Sequence, residues 1–583
     1  MNPALEEWIN RWWRPLLALG VGLHVTALFG ALTEPDSALY ATVAKNMAES
    51  GDLINLRAYR QDWLDKPHFL FWMTSSFMRL TRINEVGFRF PALVFFMLGV
   101  HYTWRLGVLL FNKTVARLAV LLLLVSEHAI LSNADVRAEP FLLGLIAAAT
   151  FHLLSVSLSP QGGERVGVRG WLPHLVAGAA FTAAAMMTKG LFVVVPIGGA
   201  LISHNWRALL KPRWLVAAVL VALFLTPELA ALYLQFDAHP EKVMFGRTGV
   251  SGVRFFFWDS QFGRFLNTGP LKGYGDPTYF FHVVLWSFLP WSLWLYMAAA
   301  SQIRDMWKKL PSPWERRERH AWGAALLTML VFTASRSQLP HYLNIVFPFF
   351  ALVVAAWLYR LPAKPSGAPD FIPGKPLLSG YSQFLPSTTE GRVAARVSVL
   401  VAAGMPLATI ALVILVQPPE VPWVVGGVLG AVVVSFIMFR GFSVEATLGR
   451  AFIAAVAVNL ALLHSYLPFL LEHQVGRQAA EVANTLPPMQ TALVEVESRT
   501  FAFGLNQEVI NWTADDAKTQ TATGSARVLM AASTKTALEE RGLKVQLLGT
   551  WDYFHVSMPT RAFLNASTRP TVVEPWVLAE VSR

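Results

Sequence analysis

The sequence predicts an α-helical polytopic membrane protein with about 13 transmembrane helices and a small C-terminal α/β domain. Three observations carry this. Of 583 residues, 54% are hydrophobic and 15% charged, where a soluble domain carries about 25% charged residues. Apolar runs recur through the first 470 residues. From about residue 471 the composition changes to 10 Lys or Arg and 12 Asp or Glu, with no run long enough to span a bilayer.

A spanning helix needs about 20 mostly apolar residues. Candidates lie at 15–32, 89–111, 114–131, 140–158, 171–188, 190–203, 213–235, 279–299, 321–334, 342–359, 396–416, 422–439 and 451–470. The fifth and sixth are interrupted by Thr188-Lys189-Gly190. Charge separates them into two: only then do Arg207–Arg213, the basic loop 300–320 (Arg304, Lys308, Lys309, Arg316, Arg317, Arg319) and loop 360–395 face the cytoplasm, as the positive-inside rule requires. The same count puts the N-terminus inside. It puts two long loops, 33–88 and 236–278, outside together with four short turns and the tail.

Within the first outer loop, residues 36–49 have helical spacing of Leu39, Val43 and Met47 after a candidate cap at Asp36. Residues 69–78 are apolar but too short to span, and follow Lys66-Pro67. Both read as helices in the outer interface. In the tail, the runs ALVEVESRTFAF, ARVLMAAS, KVQLLGTWDYF and TVVEPWVLAEV read as strands and TKTALEERG as a helix. The domains are therefore 1–470 and 471–583, with a Pro-, Gly- and Ser-rich linker at 361–391.

The net charge of +11 fits basic cytoplasmic loops and calls for no nucleic acid. With no cysteine there is no disulfide, thiolate metal site or cysteine nucleophile. The chain also lacks a P-loop, an HExxH zinc pattern, a GxSxG elbow and an Asp-x-Asp motif of the kind that binds nucleotide sugars.

Ionisable residues at membrane depth are costly and mark function. Here they gather at the outer mouth: Asp36, Lys66, Asp135, Arg137, Glu139, Lys189, Arg264, His341 and Tyr342, with Tyr40 beside Asp36. A transporter places such groups nearer mid-membrane; His24, His101 and Glu228 are the residues available for that alternative, a transporter or flippase of lipid-linked sugars. Asp36 reads equally as a helix cap and as a general base. Asp135, Arg137 and Glu139 form either a self-neutralised turn or a second acidic centre. Lys66, Lys189 and Arg264 are candidate anion binders for a leaving phosphate.

The stretch EPDSALYATVAKNMAESGDLINLRAYRQDWLDKPHFLFWM resembles the first outer loop of the bacterial lipid A aminoarabinose transferases, which are related to the protein O-mannosyltransferases within the multi-spanning GT-C glycosyltransferases. RFPAL, NADVRAEPF, MTKGLFVVVP, FLPWSLWL and SQLPHYLNIVFPFFAL follow in the family's order, over roughly the first 360 residues. The resemblance implies a polyprenyl-phosphate sugar as donor and inverting transfer, on the periplasmic side of the bacterial inner membrane. The acceptor would be lipid A, another glycoconjugate or a protein. It implies Asp36 as the activating acid, Glu139 or Asp135 as the second acid, and Lys66 and Lys189 near the lipid phosphate. No cofactor is required on this reading. A divalent metal is allowed for, with Asp65 as its candidate ligand. The chain departs from the family at Asp36-Ser37, Asp65-Lys66-Pro67 and Gln338-Leu339-Pro340, where the last loses a positive charge.

Overall fold

The computed structural model describes residues 2–583 except 60, 159–169, 271, 309–314, 362–388, 442 and 523. The 361–391 linker therefore lies almost wholly outside the described residues, as do residues 309–314 of the basic loop 300–320.

The chain opens with α1 (Pro3–Thr26), then α2 (Asp36–Ser50), a minimal hairpin of β1 (Arg57–Ala58) and β2 (Gln61–Asp62), and α3 (Phe69–Leu80). It continues through α4 (Glu85–Leu110), α5 (Lys113–Leu124), α6 (Glu127–Ala134), α7 (Glu139–Leu158) and α8 (Trp171–Lys189). All thirteen expected segments coincide with helical stretches. Among the described residues, eight helices are long and apolar enough to cross a bilayer, or nine if α5 and α6, bent by 54°, count as one span. The remaining four differ for visible reasons. α1 carries Glu6, Glu7, Arg11 and Arg14 in its first half, and Glu315–Ala334 begins with charged residues. Leu191–Ser203 is short. The expected 279–299 segment breaks at Pro290 into Tyr279–Ser287 and Ser292–Trp307, because proline cannot continue the hydrogen-bond ladder.

α7 and Pro340–Arg360 form the middle of the bundle, 83% and 94% buried, whereas Val399–Val416 and Val421–Met438 are 28% and 11% buried and present their apolar faces outward. α4 and α7 approach closely through small residues. A Cβ on Gly144 would lie 2.0 Å from the Phe95 carbonyl oxygen, and one on Gly99 2.2 Å from Leu143. Such contacts, rather than hydrophobicity, hold apolar helices together in lipid.

After the last long helix, Val444–Glu472, the chain forms a five-stranded sheet in the order β4-β3-β5-β7-β6. Its strands are β3 (Thr491–Val494), β4 (Val509–Trp512), β5 (Ala526–Ala531), β6 (Lys544–Tyr553) and β7 (Glu574–Ser582). β3 runs parallel to β4 and β5, and β7 antiparallel to β5 and β6. Alternating residues feed two cores, Leu493, Leu529 and Leu578 on one face and Ala492, Val528 and Val577 on the other. The expected strand ALVEVESRTFAF is corrected here. It ends at Val494, and Ser498, whose hydroxyl accepts from the Phe501 amide, caps a short helix, Arg499–Gly504. Strand β4, which the alternation did not single out, completes the sheet.

Candidate functional site

Three local sequence signals build the site. Glu139-Pro140 opens α7, where an anion is favoured, and Lys189-Gly190 closes α8, where a cation is favoured. Gly190 takes φ +103°, a conformation that glycine adopts without penalty. Asp36 is the first residue of α2. The cap reading is corrected: Pro35 occupies the N-cap position and no side chain caps the helix.

Freed from capping, the Asp36 carboxylate forms an ion pair with Arg137, its Oδ2 2.8 Å from Nη1. Arg137 Nε donates to Asp135 Oδ2 at 3.0 Å, so one guanidinium bridges the two acids. Burial disfavours the Arg137 charge, but Asp135, Asp36 and Glu139 outweigh it and hold the group protonated. Burial pushes the Asp135 carboxyl above the usual range against the pull of Arg137. Two residues on, Glu139 is buried. Its Oε1 accepts from Lys189 Nζ and lies 3.7 Å from His341 Nε2. Its Oε2 has no hydrogen-bond partner. Lys189 also stands over the Tyr342 ring, 4.3 Å from its centroid.

A second group lies on the other side of Lys189. Asp65 accepts from Lys66 on one oxygen and from Arg264 on the other. Burial would raise its pKa, yet the two cations hold it at about 2. Lys66 is also 5.8 Å from the centre of the Tyr40 ring. Burial, with Asp65 and Asp36 nearby, pushes the Tyr40 phenol well above its usual range. Arg264 Nε is buried and unbonded.

Asp65, Lys66, Lys189, Arg264 and Tyr342 line one cavity of about 610 Å³. Most of its remaining wall is apolar, including Leu232, Phe255, Phe262, Phe265 and Phe332. Volume and lining suit a ligand with a small anionic group and a long hydrocarbon. Asp36, Asp135, Arg137, Glu139 and His341 are not among its lining residues and connect to it through the Glu139–Lys189 pair.

Sequence reasoning missed two supports. His68 follows Lys66-Pro67, and its amide and Nδ1 each lie 3.0 Å from a Glu228 oxygen. Gln261, three residues before Arg264, spans the Gly190 break, bonding the Lys189 carbonyl and the Phe192 amide at 3.4 Å each. The adjacency to Lys66 and Arg264 was the available signal. Of the residues considered for a transport path, Glu228 pairs with His68, and His24 bonds the Leu124 carbonyl and Asn133. Among the described residues, no three His, Asp or Glu side chains converge as metal ligands. Asp65 is flanked by two cations, a setting that does not suit a divalent ion.

A family model described as dolichyl-phosphate-mannose-protein mannosyltransferase matches residues 65–230. ArnT from Cupriavidus metallidurans, solved bound to undecaprenyl phosphate, superposes with a TM-score of 0.71 over 97% of this chain and 98% of that one, at 19% identity. The fold is that of this ArnT. The apo form of the same ArnT gives 0.70 over 98% of both chains at 19% identity. Among curated relatives, the undecaprenyl phosphate-alpha-4-amino-4-deoxy-L-arabinose arabinosyl transferase of Edwardsiella ictaluri is 24% identical over 60% of each chain. That of Pseudomonas fluorescens is 26% identical over 57% of each. The aligned part thus spans about three fifths of these relatives' length. The match in sequence takes in about three fifths of this chain, while the match in fold takes in 97% of it.

Proposed function

We propose that this protein is a membrane glycosyltransferase that moves a sugar from a polyprenyl phosphate to a hydroxyl or phosphate oxygen of a periplasmic-side acceptor. The observation that carries this is the cavity itself, with Lys66, Lys189 and Arg264 in an otherwise apolar wall. A buried Arg264 Nε without a partner is a donor awaiting an anion. The similarity to undecaprenyl-phosphate-dependent arabinosyl transferases supports the same donor class.

In this reading the acceptor oxygen attacks the anomeric carbon from the face opposite the lipid phosphate. The carbon–oxygen bond to that phosphate breaks, and the polyprenyl phosphate leaves as an anion held by Lys66 and Arg264. Asp36 takes the proton of a hydroxyl acceptor or orients an already ionised one. Arg137 fixes its carboxylate, and Asp135 fixes Arg137. Glu139 holds Lys189 at the cavity, and Tyr40, Tyr342 and His341 shape the space around the reacting group. The donor set gives no reason to route a step through a metal. The acceptor is a lipid such as lipid A, another glycoconjugate or a protein, and the setting is the bacterial inner membrane.

The test is purified protein in bilayers with undecaprenyl-phosphate aminoarabinose, alongside mass spectrometry of lipid A and periplasmic glycoconjugates from a strain lacking the protein. A glycan mass lost from the strain and restored by the wild-type chain supports the proposal. Unchanged glycoconjugates together with no sugar release from any polyprenyl-phosphate donor would overturn it.

A further inference from the structure

α2 is gripped at both ends by the C-terminal domain. Two residues before Asp36, Glu34 is half-buried and accepts from the Thr500 amide at 2.7 Å, the Thr500 hydroxyl at 2.7 Å and the Ser498 hydroxyl at 3.0 Å. The Glu34 amide donates to Gln474 Oε1 at 2.7 Å, and Gln474 Nε2 returns a bond to the Leu32 carbonyl at 2.8 Å. About two and a half turns along α2, Lys45 is 6% exposed. Its ammonium donates to the carbonyls of Ala502 at 3.3 Å, Phe503 at 3.0 Å and Leu505. A single short helix, Arg499–Gly504, thus receives a carboxylate at its start and an ammonium at its end.

Burying either charge costs several kcal/mol unless it is fully bonded. Simple adhesion of the two parts would be served as well by apolar residues, and these bonds are directional. They constrain where the chain enters α2 and how the helix is rotated. Asp36 lies on that entry, and its carboxylate must meet Arg137 at one distance and an acceptor at another.

We propose that the C-terminal domain is a positioning device for Asp36, with Ser498 and Thr500 fixing Glu34 and Lys45 fixing the far end of the same helix. This rests on the reading of Asp36 as the acceptor-activating group. Ser498, Thr500, Glu34 and Lys45 touch no substrate and are positioning residues, acting through Asp36.

The test compares the full-length Ser498→Ala/Thr500→Val variant with wild type in two readouts. In the first, kcat falls by about 10- to 100-fold, the scale expected of a small misplacement, while KM for the donor and affinity for undecaprenyl phosphate stay unchanged. Thr500→Ser, which keeps the hydroxyl and amide, restores kcat. In the second, the chain's lack of cysteine lets spin labels be placed at Ser50→Cys on α2 and Val94→Cys on α4. Their distance distribution broadens in the double variant. If that variant does not fold, Thr500→Val alone or Glu34→Gln is read the same way. A wild-type kcat with an unchanged distance distribution would overturn the proposal, as would equal losses of kcat and donor affinity. Broadening in a protein that transfers no sugar would instead leave the device standing and remove the activity assigned to it.

Discussion

Lys189, at the last turn of α8, donates to Glu139, the first residue of α7, and by this pair the acidic turn is tied to the cations lining the cavity. Each charge sits at the helix end that favours it. Neither is exposed by more than 8%, so each depends on the other for solvation.

Removing one partner should therefore cost more than removing both. Lys189→Met leaves a buried carboxylate unpaired, at a cost of roughly 3–5 kcal/mol. Glu139→Gln/Lys189→Met removes that penalty. Thermal melts in detergent should rank wild type first, the double variant next and Lys189→Met last. A double variant less stable than Lys189→Met would break the argument.

Asp36→Asn keeps size and one acceptor but cannot take a proton. Its kcat should fall by about 10²- to 10⁴-fold, the usual contribution of a general base, with binding of undecaprenyl phosphate intact. Isothermal titration and single-turnover transfer separate the two. Full turnover in this variant would remove the base from the mechanism.

Much of this was legible beforehand because charges stand out against apolar sequence. Asp36, Lys66, Glu139 and Lys189 lie beside helix-start or helix-stop residues, so their side of the bundle followed from counting segments. Gly190 marked the break that ends α8 at Lys189. The pairing was not legible. Nothing local says that Arg137 bridges Asp36 and Asp135, or that Asp65 is shared by Lys66 and Arg264, because those contacts cross as many as 199 positions. The Asp36 cap failed because Pro35 precedes it and takes the cap position. Strand alternation misled at 499–504, where Ser498 offers a cap that outweighs β propensity. Nothing local singles out Glu34 or Lys45, since their partners are more than 450 residues away.

Acid should expose the Asp65 bridge. Its carboxyl is held at about 2, below the ordinary 3.8, by Lys66 and Arg264 against the opposing effect of burial. The stability it contributes is therefore complete above 3.8 and lost as pH falls towards 2. Melting temperature should drop across that window in wild type, and by less in Asp65→Asn. Identical acid profiles would show that the bridge contributes nothing.

The apolar wall should govern donor affinity. Phe262 lines the cavity yet is 46% exposed, so Phe262→Asp can be accommodated without disturbing the core. Loss of apolar contact at a charged wall predicts a KM for the polyprenyl donor raised about 10-fold or more, with kcat at saturation nearly unchanged. An unaltered KM would place the hydrocarbon elsewhere.

Gly190→Ala tests the break. A Cβ there would meet Gln261 Nε2 at 2.1 Å, in a backbone conformation of φ +103°. Transfer should fall at least 10-fold as Lys189 is displaced. Adding Gln261→Ala should recover part of it, because the clash is relieved and the backbone strain is not. Wild-type transfer in Gly190→Ala would mean that the position of Lys189 is unimportant.

Transfer by this mechanism requires one chamber in which a lipid phosphate meets the cations while Asp36 faces the bond to be broken. The most direct measurement is an experimental structure with an undecaprenyl-phosphate sugar bound to Asp36→Asn. The prediction is a phosphate within hydrogen-bond distance of Lys66 and Arg264, an isoprenoid chain along Phe262 and Phe332, and the sugar turned toward residue 36. A phosphate bound away from these cations, or a sugar screened from residue 36, would contradict it.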